Sequence, residues 1–441
     1  MMHFIVMLLF LLIVATFYQR KILFSKFIYI IAIIYPIAPY TYLSGKVIGS
    51  LELFGLIIIL YLSANIVLFP NGLRMRKFII IFITFTLCGI ISMYIDFDVF
   101  KWFLRLLVFT GTLILLTRVF LNDKLKIHSF IKYSVIFSTI IVAEFLGERL
   151  FFIFDWAGYY DYKSLLAYIG FFPMKVLQIN YSGWSSMYPV VRTGGLLGFD
   201  GASVGLYFGV IYFMIISLKK RKILTIYQFI LVFCIIGCMS RIAIFSFFLT
   251  YIIMIVLQKK YFRLIIASII LFISFQFISM KVYNTSSAVT YIMKRSIGAT
   301  NDSYGLVEKS KRAFKVFNMF SDSRILSALL VGDARLVNKN YGGDNPHNGY
   351  IQILFSSGLV GLILFLIILY RPTKHFLFNK TKIGLSFSSI MIFFIIHNLG
   401  ASYFFQLKEM FVILPPLAVY LCSINIKTEH RLLYNTNEFQ R

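Results

Sequence analysis

The sequence predicts an all-α, polytopic integral membrane protein of about 12–14 transmembrane helices with two long extracytoplasmic loops. Three observations carry that reading. Of the 441 residues, 60% are hydrophobic, 18% aromatic and only 14% charged, a balance far from that of a soluble domain. Apolar runs of about 17 to 22 residues recur from end to end, near the roughly 20 that a helix needs to cross the hydrocarbon core. The Lys and Arg residues are concentrated in alternate connections between those runs.

In order, the runs lie near 2–18, 27–43, 51–69, 78–95, 102–121, 129–146, 202–218, 223–239, 241–257, 264–280, 349–370, 383–405 and 409–424. The first, in MMHFIVMLLFLLIVATFYQRK, has no basic segment before it and no small-residue cleavage site, so it is expected to stay as a helix. The chain divides into N-terminal transmembrane helices over 1–146, a first long loop over 147–201 and central helices over 202–280. A second long loop over 281–348 then leads into C-terminal helices and a cytoplasmic tail over 349–441.

The net charge of +26 would suit a nucleic-acid partner if the basic residues formed one patch, but they do not. QRKILFSK, NGLRMRK, NDKLKIH, KKRK, QKKYFR, RPTKHFLFNKTK and NIKTEHR are basic, whereas SGK, DFDVFK and QLKE between them are nearly neutral. This is the positive-inside pattern, and it leaves no reason to invoke nucleic acid. It sets the N-terminus outside, the C-terminus in the cytoplasm and both long loops on the outer face. Cys88, Cys234, Cys238 and Cys422 all fall within apolar runs, as small buried side chains do, and have neither a disulfide pattern nor metal-ligand spacing.

Connections of this length need a function, because most are a handful of residues. The first loop is rich in Tyr, Phe and Trp, which suit a membrane interface, and ends in Arg192 followed by Thr-Gly-Gly-Leu-Leu-Gly. Glycines there let backbone N–H groups and a guanidinium approach an anion together. Arg241 separates two apolar runs with almost no loop between them, and an ionisable residue at that depth is costly unless it pairs or faces a polar cavity. The second loop holds ten basic and five acidic residues, against the positive-inside rule, so it is expected to hold something negative. Within it, Glu308 to Leu330 has helical periodicity, with Ala313, Val316, Phe317 and Phe320 on one face of an amphipathic helix.

The loop then turns into the membrane through PHNGYIQILFSSGLVGLI. His347-Asn348, nine residues, then Gly358-Leu359-Val360-Gly361 resembles the motif of the O-antigen ligase and O-antigen polymerase superfamily. Arg312-Ala-Phe-Lys-Val316 before Leu329-Leu330-Val331-Gly332 is similar to that family's loop arginine, with valine for the usual leucine; Arg324 or Arg295 are the alternative counterparts. Ser240-Arg241 and Arg192 with its glycine turn are similar to two further family elements. The resemblance spans roughly residues 190 to 370. A second pair, His397-Asn398, lies inside an apolar run without the downstream double glycine and reads as helix packing.

The resemblance implies a GT-C-like fold and metal-independent, cofactor-free glycosyl transfer from undecaprenyl pyrophosphate at the outer face of the bacterial cytoplasmic membrane. It also implies a chain-length regulator and a flippase as partners. On that reading Arg192, Arg241 and Arg312 bind the pyrophosphate and His347 serves as the base. Asn348, Arg295 and Arg324 are candidate substrate contacts, and Gly358 and Gly361, one helical turn apart, permit close approach of a helix or lipid chain. A polymerase joining lipid-linked repeat units is favoured; the alternatives are a ligase for the finished glycan and a flippase. A flippase would be expected to line a central cavity with charge, yet Arg105, Arg118, Lys132 and Glu144 are few and mostly near helix ends.

Overall fold

The computed structural model describes residues 40–43, 46–49, 97–122, 125–154, 156–169, 197, 201–219, 221–238, 240–259, 329–330, 332, 348–379, 381–400 and 410–424. The apolar runs 2–18, 51–69, 78–95 and 264–280 lie outside these residues, as does the amphipathic stretch from Glu308 apart from its last two positions.

Among the described residues the chain is helical apart from one hairpin. Strands β1 (Tyr40–Leu43) and β2 (Lys46–Gly49) pair antiparallel, with Leu43 opposite Lys46. This corrects the expected helix over 27–43 at its end: Pro36 and Pro39 lack the N–H a helix needs, and Tyr-Thr-Tyr favours extended backbone.

Helix α1 covers Phe97–Asn122, α2 Leu125–Phe154 and α3 Trp156–Ile169. The expected loop over 147–201 is therefore helical in its first part: α2 runs on past the apolar run, and α3 follows after one intervening residue. Helices α4 (Gly201–Ile215), α5 (Lys222–Gly237) and α6 (Arg241–Leu257) match the expected central runs closely. Helix α7 is Gly349–Phe378 and α8 is Lys382–His397. A 3₁₀ turn at Phe411–Ile413 leads into α9, Leu414–Ile424. Two stretches, Leu125–Leu150 and Ser357–Phe378, are long and apolar enough to cross a membrane.

Helix α7 is not one rod. Gly358 has φ 67° and ψ −175°, a conformation that side-chain-bearing residues rarely adopt, and it breaks the helix there. The Tyr350 and Phe365 rings lie 6.0 Å apart, although a straight helix would separate the two residues by about 22 Å along its axis. The short segment from Gly349 therefore folds back toward the long one. The double glycine does not form a packing pair on a continuous helix; its first member is the fold point.

Helix α8 lies at the centre of the described bundle and runs antiparallel to α4, α6 and the long segment of α7. The Ser386 hydroxyl donates to the Phe213 carbonyl at 2.8 Å, and the Phe393 ring sits 5.7 Å from that of Phe213 and 6.3 Å from that of Phe247. Phe376 and Phe387 meet at 5.4 Å near the α7–α8 connection. Close approach depends on small residues: a Cβ at Gly205 would collide with that of Ala243, and one at Gly209 with the Phe393 ring.

The bundle keeps hydroxyls inside, among buried hydrocarbon, and leaves further hydrocarbon on its outer surface. Thr112, Thr117, Ser138, Thr250, Ser386 and Ser389 are buried, and each hydroxyl donates to a backbone carbonyl, five to one a turn earlier in the same helix and Ser386 to Phe213 across helices. Ile223, Ile226, Phe229, Phe233 and Ile236 form an exposed apolar stripe along α5, and Leu359, Ile363, Leu366 and Tyr370 form another along α7.

Candidate functional site

The first turn of α7 is built by Asn348. Its Oδ1 accepts from the Tyr350 and Ile351 backbone N–H groups at 3.0 and 3.1 Å, satisfying donors that a helix start leaves unpaired. Its Nδ2 donates to the Leu399 carbonyl at 3.0 Å, and Gly349 N–H donates to the Asn398 carbonyl at 2.8 Å. The Tyr350 hydroxyl adds a bond to the Ile395 carbonyl at 2.8 Å. Three bonds thus join the positive start of α7 to the negative end of α8, a favourable meeting of opposed helix dipoles. Asn348, expected as a substrate contact, has its side chain committed to this junction.

The same turn of α8 reaches α6. A Cβ at Gly400 would lie 2.6 Å from the Ile242 Cδ1, and Ile242 also packs on buried Ala202 at the start of α4. Ser240 caps α6, its hydroxyl accepting from Ala243 N–H at 3.5 Å, and Arg241 is the first residue of that helix, partly exposed. The amino ends of α4, α6 and α7 therefore gather around residues 397–400. The starts of α4 and α6 each carry a partial positive charge of the kind that favours an anion, while that of α7 is already met by the α8 carbonyls.

Of the residues the sequence singles out, Arg241 and Asn348 are brought to this end. His347, Arg192, Arg312, Arg295 and Arg324 lie outside the described residues. His347 is the sequence neighbour of Asn348. His397 and Asn398, read as packing, are fully buried, and the His397 ring stands 5.7 Å from that of Phe393. Their position at the gathered helix ends was not expected.

A second polar cluster was also missed. Lys163 Nζ of α3 meets Glu148 Oε1 of α2 at 2.8 Å, with both side chains fully buried. The Tyr159 hydroxyl donates to the same oxygen at 3.4 Å, Arg149 lies 4.0 Å from it, and Tyr162 donates to Glu144. Burial holds the Lys163 ammonium below its ordinary pKa, with the Glu148 carboxylate opposing that shift, and burial pushes the Tyr159 phenol up. The sequence signal was present: Glu144 and Glu148 are four apart, and Tyr159, Tyr162 and Lys163 have spacings of three and four. Together they form one face-to-face seam.

Among the described residues no three His, Cys, Asp or Glu side chains gather to hold a metal ion. No family model matches the chain, and no curated protein matches it in sequence.

Proposed function

We propose that the chain is a polytopic membrane glycosyltransferase of GT-C-like fold that polymerises undecaprenyl-pyrophosphate-linked oligosaccharide repeat units at the outer face of the bacterial cytoplasmic membrane. The observation that carries the reading is the gathering of helix starts. Three of the four motif elements lie next to them in sequence: Arg192 comes nine residues before α4, Ser240-Arg241 begins α6, and Asn348, preceded by His347, caps α7. The exposed apolar stripes and inward hydroxyls support a lipid surround.

The chemistry follows from charge. An acceptor sugar hydroxyl attacks the anomeric carbon of the growing chain, the bond from that carbon to the pyrophosphate oxygen breaks, and undecaprenyl pyrophosphate leaves with the bonding electrons. His347 takes the hydroxyl proton, since an imidazole titrates near neutral pH. Arg192, Arg241 and Arg312, with the helix starts, offset charge growing on the leaving oxygen. Loss of one such group costs about 100- to 1000-fold in rate. Attack on the face opposite the leaving group inverts the anomeric configuration.

The test is a gel of surface polysaccharide from a deletion strain complemented with the parent, Arg241→Ala, Arg312→Ala or His347→Ala. A long ladder restored by the parent, and single repeat units from the mutants at equal protein level, support the polymerase. Long chains stranded on undecaprenyl pyrophosphate identify a ligase instead. Unchanged ladders from all three mutants remove the proposed residues.

A further inference from the structure

Three exposed apolar stripes end in cations at one end of the bundle. On α7, Leu366, Tyr370 and Lys374 follow one another a turn apart, all exposed, and the Lys374 ammonium stands 5.6 Å from the centre of the Tyr370 ring. On α5 the stripe through Phe233, Phe229 and Ile226 ends in exposed Lys222. On α6 the stripe through Phe245, Ile252 and Val256 leads to exposed Lys259, just past the helix. Because α8 packs antiparallel on α4, α6 and α7, the α4–α5 connection, the α6 and α7 ends and the α8 start share one end of the bundle, opposite residues 397–400. Exposed Arg371 and Lys382 belong to the same end. The acids among the described residues, Asp98, Glu144, Glu148 and Asp161, begin α1 or lie in α2 and α3.

Helix polarity does not explain the set. It favours cations at helix C-termini, yet Lys222 and Lys382 stand at helix starts. What Lys222, Lys259 and Lys374 share is a place in line with surface that faces hydrocarbon. Leu366, Tyr370 and Lys374 span about 12 Å along α7 and run from apolar through aromatic to charged, the order in which a lipid presents its chain, its interface and its phosphate. We propose that these cations form a headgroup site for anionic phospholipids whose chains fill the three stripes, at the end of the bundle opposite the gathered helix starts. The proposal rests on the membrane-spanning part of the reading above and is independent of the polymerase assignment. A headgroup with net negative charge meets ammonium and guanidinium groups here, whereas a zwitterionic one brings its own cation to the same place and gains less. Each such cation strengthens association with an anionic surface about fivefold, and salt weakens the effect.

The test is spin-label EPR on the full-length protein in phosphatidylcholine vesicles, with trace lipid labelled on its chain and carrying either a phosphatidylglycerol or a phosphatidylcholine headgroup. Lipid held against the protein gives a motionally restricted signal. The parent is expected to favour phosphatidylglycerol about three- to fivefold, and about 1 M salt should bring the ratio near one. Combining Lys222→Gln, Lys259→Gln, Arg371→Gln and Lys374→Gln should abolish the preference. The charge-keeping set Lys222→Arg, Lys259→Arg, Arg371→Lys and Lys374→Arg should retain it, which separates charge from folding. Equal restriction of both lipids by the parent overturns the proposal and leaves the cations to an acidic protein partner. A preference that survives the four Gln substitutions overturns it too, because the anionic lipid is then held elsewhere. If neither labelled lipid is restricted, the stripes do not face a bilayer, and the membrane reading fails along with the headgroup site.

Discussion

At the scale of single residues, Asn348 shows how a motif position can serve geometry. Its amide uses both ends, one capping the α7 start and the other gripping Leu399. Asn348→Ala should cost about 1–2 kcal/mol in a detergent melt, while Asn348→Asp, which keeps the cap but loses the Leu399 bond, should fall between it and the parent. An Asn just before an apolar run is a readable helix start, so the cap was legible in sequence. Its Leu399 bond was not, because residues fifty-one apart meet only once α7 and α8 have packed. For the same reason His397-Asn398 read as an ordinary helix interior, though the structure sets it beside the starts of α6 and α7.

At the scale of elements, hydropathy and charge placed α4, α5 and α6 within a few residues, since each is one apolar run between polar ends. They could not reveal the fold point in α7. A glycine in an apolar run suits close packing as well as a break, and the sign of φ leaves no trace in hydropathy. Gly358→Ala should destabilise by about 1–3 kcal/mol, because alanine is strained at φ 67°. Cysteines replacing Tyr350 and Phe365 should be joined by a short bifunctional thiol reagent in the parent background, and the yield should drop when Gly358→Ala is added. Equal yields in both would mean that the fold-back does not depend on that glycine.

Across the whole molecule, the arrangement of polar and apolar surface argues for a lipid environment. Phe229 lies 65% exposed on the α5 stripe, so Phe229→Asp places a charge where hydrocarbon contact is proposed. The cost at a helix centre is about 2.5–3.5 kcal/mol, and less protein should remain in the membrane fraction after alkaline washing. The Glu148–Lys163 pair is the opposite case, charge inside. Lys163→Met strands Glu148 and should cost about 3–5 kcal/mol, whereas adding Glu148→Leu should recover part of the loss. The pair was overlooked because the stretch from residue 147 was expected to be a loop, where spacings of three and four carry no meaning.

That pair also bears on the order in which the protein is made. Glu148 and Lys163 are fifteen residues apart, so the acid acquires its partner soon after α3 leaves the ribosome, long before the C-terminal helices have been joined to the chain. The α2–α3 unit can settle its buried charge by itself. The helices that gather around residues 397–400 must wait for the far end of the chain, which makes α8 the last piece to complete the junction and the pair among the first contacts to form.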